Sequence, residues 1–104
     1  MMLKLYSVYD AATMAFGKPF AMVSSKEAVR GFQQVCQDQN TQISKTPEDF
    51  TLYYVGAFDD DTGCIINEDK PEKLYNARDL INHMEKRLNE TRNSEQPIGD
   101  DAPV

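Results

Sequence analysis

Aromatic and basic side chains carry the most suggestive chemistry in this sequence. Tyr6, Tyr53 and Tyr54 lie in segments that alternate as strands do, and Lys4, Lys18, Arg30, Lys86 and Arg87 lie on neighbouring segments. Rings on a sheet face with cations nearby can hold single-stranded nucleic acid: base stacking contributes about 1 to 3 kcal/mol per base, and the cations neutralise phosphates. These residues form the candidate DNA-binding set. The rings also have a plainer reading. Tyr and Phe favour strands through packing alone, so the same face could meet a core or a second subunit.

Other constellations fail on spacing or on missing partners. Asp59, Asp60 and Asp61 followed by Gly63 suggest a calcium loop, but Gly63 then falls at the fifth position and Lys70 at the twelfth, where a bidentate Glu is required. A hairpin turn whose carboxylates accept backbone N–H groups fits better. His83 is the only histidine, with Asp79, Asn82, Arg87 and Glu90 near it in sequence and no Ser or Cys nucleophile motif around it, so it reads as a helix-surface residue. The two cysteines, Cys36 and Cys64, form neither a Cys-x-x-Cys pair nor a Cys/His cluster. That argues against zinc fingers, redox motifs and a disulfide-rich secreted scaffold. Neither Gly-rich phosphate-loop pattern occurs. The expectation is a non-enzyme with no metal and no cofactor.

The elements that must position these residues can be read from periodicity. Lys4–Tyr9 alternates as a strand, with Leu3, Leu5, Ser7 and Tyr9 on one side and Lys4, Tyr6 and Val8 on the other. Met14–Val23 is a second extended segment, placed at a sheet edge or strand start by Pro19, which cannot donate to a ladder. Ser24 and Glu27 form a capping-box pattern that starts a helix at Ser25. Its apolar stripe is Ala28, Val29, Phe32, Val35 and Cys36, with Lys26, Arg30, Gln33, Gln34 and Gln37 off it. Gly31 inside this helix costs about 1 kcal/mol relative to Ala. Asp38–Phe50 is polar and reads as a long loop. Thr51–Phe58 and Cys64–Ile66 read as a hairpin whose Gly63 takes positive φ. Ala77, Leu80, Ile81, Met84 and Leu88 mark a second helix, N-capped by Asn76 and running to about Asn93.

These readings give one α+β domain over residues 1–93, in the order β-β-α-β-β-α, with an antiparallel sheet and both helices on one face. Residues 94–104 read as an acidic, mobile tail. A chain of 104 residues can bury a core without disulfides or metal. Lys+Arg 11 against Asp+Glu 17 gives a net charge of −6, so binding to a polyanion needs a local basic patch acting against the average field. The tail carries Glu95, Asp100 and Asp101 and no base, which leaves −3 for residues 1–93. Helix two holds Arg78, Lys86, Arg87 and Arg92 among Asp79, Glu85 and Glu90, a mixed solvated face first and a weak phosphate stripe second. No signal peptide and no apolar run of membrane length is present, so a soluble intracellular protein without membrane contact is expected.

The order of segments adds a resemblance. Leu3 to Asp10 (LKLYSVYD), Phe16 to Phe20 (FGKPF), Glu27 to Phe32 (EAVRGF), Pro47 to Tyr53 (PEDFTLY) and Gly56 to Gly63 (GAFDDDTG) together look like the small non-structural protein of gokushovirus-type microviruses. These are tailless phages with a circular single-stranded DNA genome. The resemblance spans roughly residues 3 to 90, and its specificity comes from the ordered set. It implies a protein made in the cytoplasm of the infected bacterial host, absent from the capsid shell, and described as DNA-binding or as helping genome replication and packaging. It carries over no binding residues.

Two functional expectations follow. The first is a non-enzymatic phage protein that assists single-stranded DNA replication and packaging by binding single-stranded DNA through the residues named above. The second is a homodimeric adaptor that contacts phage replication or procapsid proteins without touching DNA, associating through the sheet face that holds Tyr6 and Val8.

Overall fold

A computed structural model describes residues 1–95. The first strand, β1, runs Met2–Asp10, a little beyond its predicted ends. The predicted second strand divides into β2 (Ala15–Phe16) and β3 (Phe20–Met22), both antiparallel to β1 along the same edge. The break falls at Gly17, Lys18 and Pro19, where Pro19 has no N–H to continue a ladder. Helix α1, Ser25–Gln37, begins where expected, with Ser24 Oγ accepting from the Glu27 N–H at 3.3 Å.

The predicted loop 38–50 is largely structured. Thr41 Oγ1 accepts from the Ser44 N–H at 3.2 Å and starts a one-turn helix, α2 (Gln42–Lys45). A 3-10 turn at Pro47–Asp49 then delivers the chain into β4, Phe50–Asp59. The polar composition that reads as loop supplies these local caps.

The hairpin closes as predicted. The Asp59 N–H donates to the Cys64 carbonyl and the Gly63 N–H to the Asp59 carbonyl, and Gly63 sits at φ 77, in the left-handed region that favours glycine. Its second arm, β5, does not stop at Ile66 but runs Ile65–Asn76. Its pairing with β4 jumps from Gly56↔Asn67 to Tyr54↔Glu72, so the segment around Lys70 and Pro71 bows out of register. Helix α3, Ala77–Glu95, follows directly. Asn76 caps it through Oδ1, which accepts from the Arg78 N–H at 3.0 Å, while its Nδ2 donates to Glu48 O, Phe50 O and Thr51 Oγ1. One side chain thereby ties the β5–α3 junction to the start of β4. The expected acidic tail lies, beyond Glu95, outside the described residues.

The fold is α+β with an antiparallel sheet ordered β2-β1-β4-β5, and β3 lies beside β1. The expected β-β-α-β-β-α order is corrected in two places: the second strand is two pieces, and α2 makes three α-helices instead of two. Tyr6 and Leu52 from the central strands meet Ala28, Phe32 and Cys36 of α1 and Ala77 and Leu80 of α3 in one buried core. Val8, Phe20, Met22 and Tyr54 pack around it. The sheet face that holds Tyr6 and Val8 is therefore the covered one. The adaptor expectation assigned self-association to that face, and the helices occupy it instead. Gly31 answers to no close approach: a Cβ there would stand 3.9 Å from the Met22 methyl, an ordinary contact.

Candidate nucleic-acid interface

Two irregularities in the ladder decide which side chains reach which face. Leu5 pairs with Gly56 and Tyr6 with Tyr54, which leaves Val55 as an extra residue on β4. Leu52 pairs with Tyr75 and Tyr53 with Lys73, which leaves Leu74 as an extra residue on β5. The two residues on the wide side of such a bulge can both turn to one face. Leu74 accordingly joins the core, and Tyr75 beside it remains 46% exposed.

Leu74 and Tyr75 form one wall of a groove of about 510 Å3. The opposite wall is α1, which contributes Lys26, Arg30 and Gln33 at i, i+4 and i+7, one face of a helix. Arg87 of α3 closes the third side. Three cations and one exposed ring therefore converge on a groove whose lining includes no carboxylate. Among the described residues, the side-chain ion pair found is Arg78–Glu48 at 3.3 Å, so Lys26, Arg30 and Arg87 are not engaged by a carboxylate. A second hollow of about 310 Å3 continues past Gln33 and Arg87 to Gln37, Met84 and Leu88.

The predicted site residues are distributed over both sides of the sheet. Arg30 and Arg87 meet in the groove; Lys86, next in the chain to Arg87, is exposed on α3 but does not line it. Tyr6 is fully buried, with its hydroxyl 2.8 Å from Ser25 Oγ, so its ring is not available for stacking on a base. Tyr54 is half-buried on the same face, its ring centroid 5.7 Å from that of Tyr6. Tyr53 lies on the opposite face, in a cluster with Tyr9 and Phe16. Lys4, at the register of Met22 and Ala57, and Lys18, before Pro19, are exposed and line no part of the groove.

Sequence reasoning counted Lys26 among the cations of a possible local patch but left it out of the binding set, and it missed Gln33 and Tyr75. The i, i+4, i+7 spacing of Lys26, Arg30 and Gln33 was the available signal, but it also describes any solvated helix face. Tyr75 gave no signal, because its direction depends on the extra residue in β5.

Asp59 is held below the usual carboxylate range, chiefly by the backbone N–H of Asp61, as expected of a turn carboxylate. Asp59, Asp60 and Asp61 lie within reach of one another, but on an exposed turn. Burial pushes the Cys36 thiol up to about 11. His83 is exposed on α3. Among the described residues, no helix is long and apolar enough to cross a membrane.

Comparison with known proteins places the chain in a family. The family model described as phage ORF5 protein matches residues 3–80. Protein ORF5 of Chlamydia phage 1 is 34% identical over 62 residues, a region that covers 56% of this chain and 65% of the relative, just under two thirds of its length. No solved structure matches. The chain belongs to the phage ORF5 protein family, in agreement with its resemblance to the small non-structural protein of gokushovirus-type microviruses.

Proposed function

We propose that this protein is a non-enzymatic accessory of phage genome replication and packaging that binds single-stranded DNA in the groove between α1, α3 and the end of β5. The observation that carries this reading is the convergence of Lys26, Arg30 and Arg87 with the exposed ring of Tyr75, in a groove lined by no carboxylate. In a chain of net charge −6 such a concentration of cations departs from the average. The cations neutralise phosphates and the ring offers a stacking platform, which is the sequence-tolerant mode of single-strand binding. The binding set is thus revised: Arg30 and Arg87 stay, Lys26 and Tyr75 join them, and Lys4, Tyr6, Lys18, Tyr53, Tyr54 and Lys86, which do not line the groove, leave. The protein acts in the cytoplasm of the infected host.

Fluorescence anisotropy of labelled single-stranded and duplex oligonucleotides, at low and near-physiological salt, tests the reading. Saturable single-strand binding that weakens with salt and is lost in Arg30→Glu or Arg87→Glu is the expected result. No binding at low salt would reject it and leave the adaptor reading, in which the partners are phage replication or procapsid proteins.

A further inference from the structure

The sheet face away from the helices is largely apolar, and Leu3, Leu5, Tyr9, Tyr53 and Phe58 on it are partly exposed. By alternation β1 presents Leu3, Leu5, Ser7 and Tyr9 there, and β4 presents Thr51, Tyr53 and Phe58, the polar Ser7 and Thr51 being buried among their neighbours. Phe16 on β2 joins them, its ring centroid 4.9 Å from Tyr9 and 5.2 Å from Tyr53, with 45% of its surface still exposed. This is a second surface, independent of the basic groove and on the opposite side of the sheet.

We infer that this face is the interface with a second copy of the chain, packed sheet to sheet as a two-fold sandwich. Charge argues for that occupant. The positions that β1 and β4 present on this face are uncharged, and Lys73 beside Tyr53 is the cation brought to it by the β4–β5 register. A polyanion finds little counter-charge here. A second copy of a chain of net charge −6, which is repelled at its acidic surfaces, meets no carboxylate of β1 or β4 across this face, and Lys73 on the β5 side is the charge it must accommodate.

Area argues the same way. Nine residues of β1 span about 30 Å, and four strand positions at about 4.8 Å give a face of about 600 Å2. Two such faces pressed together bury about 1,200 Å2 in total, the low end of the range of specific, stable interfaces. Two sheets stacked at about 10 Å would bury Leu5 near the centre of the contact and the aromatic cluster towards its β2 edge. The helices of each copy would then face outward, so each dimer would present two grooves on opposite sides.

Sedimentation velocity on the full chain, from low micromolar to about 200 µM, tests the inference. The expected result is a species of twice the monomer mass, with Phe16→Lys raising the dimer dissociation constant about ten-fold or more. Phe16 lies on a two-residue edge strand and is half-exposed, so the variant should keep its fold, which far-UV circular dichroism checks. Leu5→Lys, in the middle of the same face, should act in the same direction, and Arg87→Glu in the groove should leave the dimer intact. A monomer at about 200 µM would overturn the inference. So would a dimer that is indifferent to Phe16→Lys and Leu5→Lys, or one broken by Arg87→Glu. None of these outcomes depends on whether the groove binds DNA.

Discussion

Replacing Arg87 by Ala should change how single-strand affinity responds to salt as well as the affinity itself. Each phosphate neutralised releases condensed counterions, so log K falls with log salt at a slope of about −0.7 per contact on single strands. Three groove cations, Lys26, Arg30 and Arg87, give a slope of about −2, so that raising salt four-fold, from 50 to 200 mM, weakens binding about 20-fold. With Arg87 removed the slope should fall to about −1.4, and the same change in salt should cost only about 7-fold. Arg87 is exposed and Ala is the better helix former, so the variant should be no less stable than the parent. The assay is anisotropy titration of a labelled oligonucleotide at several salt concentrations, with Lys45→Ala on α2 as a control outside the groove. A slope near zero in the parent, or one that Arg87→Ala and Lys45→Ala change equally, would refute the assignment of phosphate contacts to the groove.

Further outcomes follow from the packing. Tyr75→Ala should lower single-strand affinity by about 1 to 3 kcal/mol, read by the same titration, with little change in melting temperature because nearly half of the residue is exposed. Gly31→Ala should raise stability by about 0.5 to 1 kcal/mol, whereas Gly56→Ala should lower it by about 1 to 3 kcal/mol, because its Cβ would stand 2.8 Å from the Ile66 carbonyl oxygen; urea unfolding separates the two. Asn76→Ala removes the α3 cap and the donors to Glu48, Phe50 and Thr51 and should cost about 2 kcal/mol, seen as a melting point lower by about 10 °C. At pH 8 a thiol reagent should label exposed Cys64 quickly and buried Cys36 only on unfolding; because the Cys36 thiol is raised from 9.0 to about 11, the unfolded chain ionises first and stability should decline as pH rises from 9 towards 11.

The parts of the fold that depend on local periodicity were legible in the sequence. Ser24 and Glu27 announce α1, the stripe through Ala28, Phe32 and Cys36 gives its buried face, and Gly63 marks the hairpin. What was not legible depends on pairing across distance. In an uninterrupted ladder starting from Leu52↔Tyr75, Leu74 would oppose Tyr53 and Lys73 would oppose Tyr54. The extra residue reverses this, bringing Leu74 into the core beside Tyr75 and Lys73 to the register of Tyr53. Alternation along β5 alone cannot reveal such a shift, because a one-residue slip exchanges the faces of every side chain beyond it. For the same reason the candidate site was half visible: Arg30 and Arg87 could be named from charge, but the ring that completes the groove could not. The tyrosines of β1 and β4 look alike in sequence, yet Tyr6 is buried under α1 and Tyr53 lies on the other side of the sheet.

Net charge is a poor guide to this groove because the relevant range of the field is short. At physiological ionic strength the screening length is about 8 Å, so carboxylates on the far side of the domain contribute little at the groove, while Lys26, Arg30 and Arg87 act at contact. At 0.01 M salt the length grows to about 30 Å, comparable with the width of the domain, and the charge of −6 then opposes the approach of a polyanion. Counterion release and long-range repulsion therefore pull in opposite directions as salt is lowered. A compact cationic groove on an acidic chain should bind with a salt dependence that is steep near 0.1 M and flattens towards 0.01 M. A uniformly basic surface would keep gaining affinity over the same range, so the curvature of the salt plot distinguishes a local site from a global charge effect.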